Sequence, residues 1–215
     1  SDPAKPTPQP TNPDVQISTI RIANSGFTLG EQDTETLTAE VKDQNGVLMN
    51  ISVTWVSSNP QVASVDSNGV VTALAIGDAT ITASVKDVSS NPVSVTVANL
   101  WSNPKTWASG RVPAQNEAVV IPQDKTVLLD VTPPALKNLT ILGTLVFAEK
   151  DLELSSDWVM LHGSLKIGSE AEHFQHKATI TLTANDTNES VMNMGTRGIL
   201  MMGGSLELYG ATPNV

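Results

Sequence analysis

The sequence has 215 residues, of which 40% are apolar and 16% are charged, so one large or two small folded domains are expected rather than a disordered polymer. A count of 22 acidic against 12 basic residues gives a formal net charge of −10, which argues against nucleic acid or an anionic membrane as the main partner. The lack of cysteine excludes disulfides, thiolate catalysis and cysteine zinc sites, and no apolar run approaches the roughly 20 residues of a membrane span.

Residues 1–14 form a proline-rich segment without alternation of apolar and polar residues. Such a segment is a semi-rigid, solvated spacer. The chain begins with serine and carries no signal peptide, which is the pattern expected of a processed product. We therefore expect a linker of the kind that follows a lipoprotein anchor or joins a module to its neighbour.

Residues 15–99 consist of short alternating runs separated by turn signals such as Gln44-Asn45-Gly46 and Ser58-Asn59-Pro60. Short strands at this spacing predict an immunoglobulin-like β-sandwich. Because no cysteine pair can bridge the sheets, Trp55 and the aliphatic faces are expected to form the core. The predicted strands are Gln16–Ala23, Thr34–Lys42, Val53–Ser57, Val62–Val65, Val70–Leu74, Ala79–Val85 and Val93–Ala98.

The middle of this segment resembles the group 2 bacterial immunoglobulin-like domain. The matching residues are Val53-Thr54-Trp55-Val56-Ser57-Ser58-Asn59-Pro60, Ala63-Ser64-Val65-Asp66, Gly69-Val70-Val71-Thr72-Ala73, Gly77 and Ala79-Thr80-Ile81-Thr82-Ala83. Domains of that family occur in adhesins, in surface-layer proteins and as spacers in secreted enzymes that act on polysaccharide. The resemblance implies an extracellular bacterial setting and no particular reaction.

Glycines mark a repeat from residue 100 onward. Gly143-Thr144-Leu145, Gly163-Ser164-Leu165 and Gly204-Ser205-Leu206 open the same pattern, and their glycines are 20 and 41 residues apart. A period near 20 residues predicts a β-helix with a tight corner at each glycine. The longer gap is interpreted as two periods, with Ala184 in the place of a glycine. The leucines of the three motifs are expected to form a column in the core.

Residues 100–215 also resemble the domain named for its eight glycines, which occurs in fibrocystin and in the cell-surface hyaluronidase and hyaluronan-binding protein family. The resemblance implies a right-handed parallel β-helix, an extracellular location and a link to hyaluronan or related glycans. In those relatives the domain is part of a larger β-helix, so we expect the fold to continue beyond Val215. The matching residues are Trp101, Trp107, Gly110, Pro113, Val119–Pro122, Val127–Asp130, Leu136–Leu145, Leu161–Glu170, Phe174, Ala178–Leu182 and Gly203–Gly210.

The three histidines are candidates for glycan binding. His162 precedes a corner glycine, whereas His173 and His176 lie in a loop that interrupts the repeat, where binding residues tend to occur. Imidazole can exchange protons near neutral pH. About one repeat separates His162 from the loop, which would make them neighbours. The alternative is that the loop histidines are merely exposed and that His162 caps the backbone.

The basic residues Lys166, Lys177 and Arg197 could form a local groove for a polyanion, if they line one face. The alternative is that these charges are scattered and solvated. The acidic pairs Asp151 with Glu153 and Glu170 with Glu172 are spaced so that both side chains point the same way on a strand. They could support acid–base hydrolysis, or they could belong to a solvated face.

Two further features have a binding and a structural interpretation. Trp101 and Trp107 could be a platform for sugar rings or could seal the start of the β-helix core. The run Asn185-Asp186-Thr187-Asn188-Glu189 has oxygen ligands for a structural calcium ion but lacks the full spacing of a calcium loop. A polar turn is the alternative, and no cofactor is otherwise expected.

The sequence thus predicts an all-β chain with a linker (1–14), an immunoglobulin-like sandwich (15–99) and an eight-glycine right-handed parallel β-helix (100–215). The first functional hypothesis is a secreted or surface-anchored bacterial protein that binds or helps depolymerise extracellular polysaccharide. If the whole protein is an enzyme, a hyaluronidase-like one is expected, with this segment inactive alone. The second hypothesis is a non-catalytic adhesin or cell-surface scaffold. Neither nucleic acid nor membrane insertion is expected. The candidate binding residues are His162, Lys166, His173, His176, Lys177 and Arg197.

Overall fold

The computed structural model describes residues 16–24, 26–184 and 190–211, the side chain of Met192 excepted. Short 3-10 helices at Pro104–Thr106 and Val191–Asn193 are the helical segments of this part, and the other regular elements are strands. The all-β prediction is therefore confirmed. The contacts divide the chain into two compact units, one with residues up to Thr28 and Gln32–Thr96, the other with Leu29–Glu31 and residues from Val97 onward.

The first unit contains ten short strands, which pair mainly antiparallel. They are β1 (Ile17–Ile22), β2 (Gly26–Leu29), β3 (Thr34–Thr36), β4 (Ala39–Asp43), β5 (Thr54–Ser57), β6 (Ala63–Val65), β7 (Val70–Ala73), β8 (Gly77–Val85), β9 (Val88–Ser89) and β10 (Val93–Val97). The sheet orders are β1–β4, β2–β10–β8–β5 with β9 on β8, and β3–β7–β6. In β10 the valines are buried and the residues between them exposed, as a half-buried strand requires. This unit is the immunoglobulin-like domain that the sequence predicts.

The predicted strand Thr34–Lys42 is in fact two strands that belong to different sheets. β3 pairs with β7, whereas β4 pairs with β1. The chain changes sheets at Leu37, whose side chain is buried and whose N–H donates to the carbonyl oxygen of Gly69 at 2.9 Å. The prediction was wrong here because both strands have the same alternation, and local alternation does not identify the pairing partner.

The expectation that Trp55 and the aliphatic faces form the core is confirmed for the aliphatic faces and wrong for Trp55. Trp55 is only half-buried, and its ring lies over Gly69, where a Cβ would come within 2.9 Å of the ring. The positive φ of Gly69 (82°) adds a second reason for glycine at this turn. The core of the unit is aliphatic, with Ile22, Leu37 and Ile81 among its largest fully buried side chains.

The second unit is built from two parallel sheets. Its strands are β11 (Asn99–Leu100), β12 (Ala118–Ile121), β13 (Thr126–Leu129), β14 (Leu136–Ile141), β15 (Thr144–Phe147), β16 (Leu152–Leu161), β17 (Ser164–Ile167), β18 (Ala178–Leu182), β19 (Gly198–Met201) and β20 (Ser205–Leu208). One sheet has the order β11–β13–β15–β17–β20, and the other has β12–β14–β16–β18 with β19 also on β16. Successive strands from β12 to β18 therefore alternate between the sheets, so each turn of the chain adds one strand to each.

The turns meet at a corner where only glycine fits. A Cβ on Gly163 would overlap the carbonyl oxygen of Gly143, and a Cβ on Gly204 would overlap that of Gly163. The leucine two residues after each glycine is in parallel register with the next, Leu145 with Leu165 and Leu165 with Leu206. The predicted leucine column is confirmed, and its members pack in the core of this unit.

The interpretation of the 41-residue gap as two periods is wrong. β16 has ten residues and pairs with β18 through Leu152–Ser156 and with β19 through Trp158–Leu161. Both strands therefore belong to one turn, and Ser205 pairs directly with Ser164. Ala184 occupies no corner. Glycine spacing alone cannot distinguish two short turns from one turn that carries inserted loops.

The register locates the inserted residues. Partners on β14 and β16 are 20 residues apart, as in Leu136 with Ser156. Partners on β16 and β18 are 26 apart, those on β16 and β19 are 40 apart, and those on β17 and β20 are 41 apart. The extra length thus enters before β18, between β18 and β19, and at the last corner. We call the loop of residues 168–177 the histidine loop and residues 183–197 the excursion.

Trp101 lies in the hydrophobic core of the second unit, and Trp107 packs against that core. Trp101 is fully buried, and the Trp107 ring meets it edge to face at a centroid distance of 4.7 Å. The Trp107 Nε1–H donates to the carbonyl oxygen of Trp101 at 2.9 Å. This geometry supports the sealing interpretation and leaves Trp101 no exposed face for a sugar ring.

Candidate functional site

The histidine loop brings three of the predicted residues together. Phe174 is buried and anchors the loop, and its N–H donates to the carbonyl oxygen of Tyr209 at 2.8 Å. His173, His176 and Lys177 are exposed on either side of this anchor. Phe174 is thus the buried apolar anchor of a loop that is otherwise largely exposed.

His162, expected as a neighbour of this loop, lies at the opposite end of β16. The loop ends where the Leu152 N–H donates to the carbonyl oxygen of Lys177, at the start of that strand, whereas His162 follows its last residue. Ten strand residues span up to about 30 Å. The prediction of proximity was wrong because it assumed the ordinary repeat length. At the corner between β16 and β17, the backbone N–H of His162 donates to the carbonyl oxygen of Ile141 at 2.9 Å.

Lys166 and Arg197 lie apart from the loop as well. Lys166 is on β17, in the other sheet, and its Nζ is 3.1 Å from Oε2 of Glu207. Arg197 is exposed immediately before β19, whose first residue pairs with Trp158. The expected basic groove of Lys166, Lys177 and Arg197 is therefore not formed on one face. The sequence could not show that these residues lie apart, because that depends on the sheet and the strand end to which each one belongs.

Aromatic rings accompany the histidines of the loop. The His173 and Tyr209 rings are stacked with a centroid distance of 6.5 Å and an interplanar angle of 28°. His176 meets Phe174 edge to face at 6.1 Å. Both distances fall within the usual range of ring contacts. Tyr209, three residues after Leu206 of the last repeated motif, was missed in the sequence because its partner is far away in the chain.

A groove opens beside these rings. It has a volume of about 530 Å³, within the range of small-molecule sites. Gln175 and His176 supply polar groups, while Phe174, Leu208 and Tyr209 supply apolar and aromatic surface. We call it the loop groove. Mixed lining of this kind suits a ligand that has both apolar faces and hydroxyl groups.

A row of carboxylates and hydroxyls runs along β16 and the strand next to it. Thr181 Oγ1 donates to Glu153 Oε1 at 2.7 Å, and Ser155 Oγ donates to the same oxygen at 3.1 Å. Thr183 Oγ1 donates to Asp157 Oδ1 at 2.6 Å. We call these residues the polar strip. Its regular two-residue spacing follows from the alternation of side chains along paired strands.

Asp151 joins the polar strip to the histidine loop. Its Oδ1 accepts the Lys177 backbone N–H at 2.9 Å and lies 3.6 Å from Nδ1 of His176. The predicted acidic pair Asp151 and Glu153 thus has two separate sets of partners. One oxygen atom of Asp151 fixes the loop end, while Glu153 belongs to the strip.

Glu153 is set up to remain a carboxylate. Hydrogen bonds from Thr181 and then Ser155 lower its pKa, and the charge of Lys177 acts in the same direction. A glycosidase acid needs the opposite shift, because it must hold a proton near neutral pH. Glu153 can accept hydrogen bonds from a ligand and is unsuited to donate a proton.

The described ranges 16–24, 26–184 and 190–211 contain no group of three or more acidic or histidine side chains placed to hold an ion. The expected calcium run at residues 185–189 lies outside the described residues. In the same ranges, no helix has the length and apolar character needed to cross a membrane.

Two family profiles match the sequence. The bacterial Ig-like domain (group 2) matches residues 17–97, and the G8 domain matches residues 106–215. Human fibrocystin-L is 37% identical over 113 residues, which cover 51% of this chain and 3% of that protein. Alpha-L-arabinofuranosidase of Bifidobacterium longum subsp. longum is 43% identical over 72 residues, 34% of this chain and 7% of that protein. The chain therefore spans only a small part of these relatives.

Among solved structures, domains 4 and 5 of the S-layer protein SbsC align with 39% of this chain and 53% of their own, at 23% identity and a TM-score of 0.36. G8 and bacterial Ig-like domains are typical of extracellular and surface proteins. The G8 match covers more than half of the sequence and includes all three stacked corner glycines. The chain belongs to the G8 domain family and carries a group 2 bacterial Ig-like domain ahead of its G8 domain.

Proposed function

We propose that this chain is the polysaccharide-contacting part of an extracellular surface or adhesion protein. The observation that carries the proposal is the loop groove, in which aromatic surface from Phe174 and Tyr209 lies next to polar groups of Gln175 and His176. Sugar rings place their apolar faces on aromatic rings and donate hydroxyl hydrogen bonds to carboxylates. Tyr209 and His173 offer the rings, and Asp151, which lies 3.6 Å from His176, offers an acceptor.

The parallel unit is proposed to be a right-handed β-helix that serves as a rigid support. Parallel strands of one sheet are joined by right-handed connections in nearly all proteins. Binding groups on regular strands keep their spacing better than groups on free loops. Glu153 and Thr181 lie on paired strands, so their separation is fixed by the sheet.

The proposed role of this chain is binding rather than cleavage. Glu153 is held ionised, and Asp151 already accepts a backbone N–H and lies against His176. Any depolymerising activity of the whole protein would then use groups outside this chain. One relative is named as an arabinofuranosidase, which suits a module that accompanies glycan-active enzymes.

Glycan-array binding tests the proposal, followed by calorimetry on each glycan that binds. The variants are His173→Ala, which removes half of the stacked ring pair, and His162→Ala, which removes an exposed histidine at the far end of β16. We expect binding that His173→Ala weakens and His162→Ala leaves unchanged. Folded protein that binds no glycan on the array would overturn the proposal and leave the adhesin or scaffold function.

A further inference from the structure

Two turns of the first unit carry the same short sequence pattern. Asp43-Gln44-Asn45-Gly46-Val47 begins at the end of β4, and Asp66-Ser67-Asn68-Gly69-Val70 lies between β6 and β7. In each turn the aspartate Oδ1 accepts the backbone N–H groups two and four residues later, and the glycine N–H donates to the aspartate carbonyl oxygen. The two turns therefore share their local hydrogen bonds, and they hold the two Asn-Gly pairs of the sequence.

An Asn-Gly pair can react with itself. The backbone nitrogen of the glycine attacks the side-chain carbon Cγ of the asparagine, and glycine has no Cβ to hinder the approach. The nitrogen gives up its proton to the solvent and forms the new C–N bond of a succinimide ring, while the side-chain nitrogen takes up a proton and leaves as ammonia. Water then opens the ring at either carbonyl, which yields aspartate or isoaspartate.

Each turn must open before this reaction can occur. The Gly46 N–H donates to the carbonyl oxygen of Asp43 at 3.0 Å. The Gly69 N–H donates in the same way to Asp66 at 3.1 Å. Attack on Cγ requires the glycine nitrogen to leave this hydrogen bond. The reaction rate in the folded protein therefore follows the free energy of local opening, which differs from one part of a structure to another.

Opening of the second turn is costly. Gly69 is buried, and a Cβ there would lie 2.9 Å from the ring of Trp55. The carbonyl oxygen of Gly69 accepts the Leu37 N–H at 2.9 Å. The pairing of β6 with β7 reaches this turn, with Val65 opposite Val71, and Val71 is fully buried. Separation of the two strands would therefore break backbone hydrogen bonds and expose the core.

The first turn is held less firmly. Gly46 is exposed, and a Cβ there would meet no atom within 4 Å. Val47 and Leu48 are 60% and 64% exposed, so opening of the turn uncovers little apolar surface. Beyond the turn the hairpin continues as an isolated bridge between Lys42 and Leu48 rather than as a strand pair. Few contacts of this kind are typical of segments that open at low free energy.

We infer that Asn45 is a site of spontaneous deamidation in the folded protein and that Asn68 is protected. The conversion places a carboxylate two residues from Asp43, and the isoaspartate product also adds a methylene group to the backbone. The added group separates the N–H groups of residues 45 and 47, which Asp43 Oδ1 accepts at 2.9 and 2.8 Å. The inference concerns the first unit and does not depend on the proposed function.

Mass spectrometry of the full chain, aged in mildly alkaline buffer, tests the inference. Digestion with trypsin and chymotrypsin, which cleaves after Trp55, separates the peptides of the two turns. Deamidation is followed by the mass difference between an amide and a carboxylic acid, and isoaspartyl methyltransferase labels the isoaspartate product. A parallel sample in urea gives the rates of both sites without the folded structure.

In urea, Asn45 and Asn68 should convert at similar rates, since both precede glycine. In the folded protein, Asn45 should convert at least about tenfold faster than Asn68. Asn45→Gln should abolish the methyl label of the folded protein, and the matched control Asn68→Gln should leave it unchanged. Equal rates at the two sites of the folded protein, conversion of Asn45 in urea alone, or a label that persists in Asn45→Gln would overturn the inference.

Discussion

Gly204 lies directly against Gly163, although 41 residues separate them in the sequence. The Ser205 N–H donates to the carbonyl oxygen of Gly163 at 2.8 Å, and Ser164 donates in the same way to Gly143. The corner therefore keeps one geometry whatever the length of the chain between two turns. Close approach, rather than flexibility, explains glycine at these positions.

Gly163→Ala is expected to destabilise the second unit. The new methyl group would overlap the carbonyl oxygen of Gly143, and backbone at a packed corner can move little. The expected loss in free energy of unfolding is about 1–3 kcal/mol, the usual cost of overpacking. Urea denaturation measures it. Gly210→Ala is the control, because a Cβ at Gly210 meets no atom within 4 Å. Equal stability of the two variants would contradict the stacked corner.

The leucine column predicts a graded series. Leu165 is fully buried between Leu145 and Leu206, whereas Leu206 is only partly buried. Leu165→Ala should cost about 2–5 kcal/mol, since it removes a buried side chain and leaves a cavity. Leu206→Ala should cost clearly less. Chemical denaturation of both variants decides the point, and an equal cost would mean that Leu206 is covered in solution.

Removal of residues 184–197 should leave the second unit folded. The deletion joins Thr183 to Gly198, and Thr183 already lies opposite Asp157, next to the Trp158 that pairs with Gly198. A continuous strand on β16 would result, with the register offset of 26 kept throughout. Circular dichroism and thermal unfolding check this outcome.

The result of that deletion also reports on Trp158. Its side chain is 2% exposed, and its ring lies against Gly198. If the deletion abolishes cooperative unfolding, the excursion contributes to the packing of this unit and is more than an inserted loop. A red shift of tryptophan fluorescence with retained cooperativity would mean that the excursion only shields Trp158.

Acid should weaken the second unit through Glu207. Hydrogen bonds from Ser205 and then Lys166 lower the pKa of Glu207 from its usual 4.5. A depressed pKa stabilises the folded state above the unfolded value, and this stabilisation is lost as the pH falls through the folded value. The loss therefore begins near pH 4.5 and grows below it.

Urea unfolding at pH 6 and at pH 3.5 tests this linkage in the wild type and in Glu207→Gln. The variant should lose less stability between the two pH values, because its side chain does not titrate. The same pH dependence in both proteins would assign the acid sensitivity to other groups, of which Glu117 and Glu153 also have lowered pKa values.

The parts of the fold that were predictable depend on local spacing. The leucine column followed from three copies of one short motif, and the burial of Trp101 agrees with one of the two interpretations that the sequence left open. The division of Thr34–Lys42 into two strands did not follow, because sheet membership is set by distant partners.

The candidate site was predictable only in part, for a related reason. The histidine loop could be found as an interruption of the repeat, and it does carry His173, His176 and Lys177. The pairing of Lys166 with Glu207 spans 41 residues and depends on the register of β17 and β20. The contacts of Glu153 with Thr181 require the 26-residue offset, which the glycine spacing hides.

The constant corner gives this domain a way to change in length. One turn has gained residues at three separate places. Its last strand nevertheless pairs with the turn before it in the usual register, with Ser164 opposite Ser205. Surface segments can thus be lengthened, shortened or exchanged without a change in the order of the core. For protein engineering, the junctions on either side of β18 are the points at which a foreign recognition peptide should be tolerated.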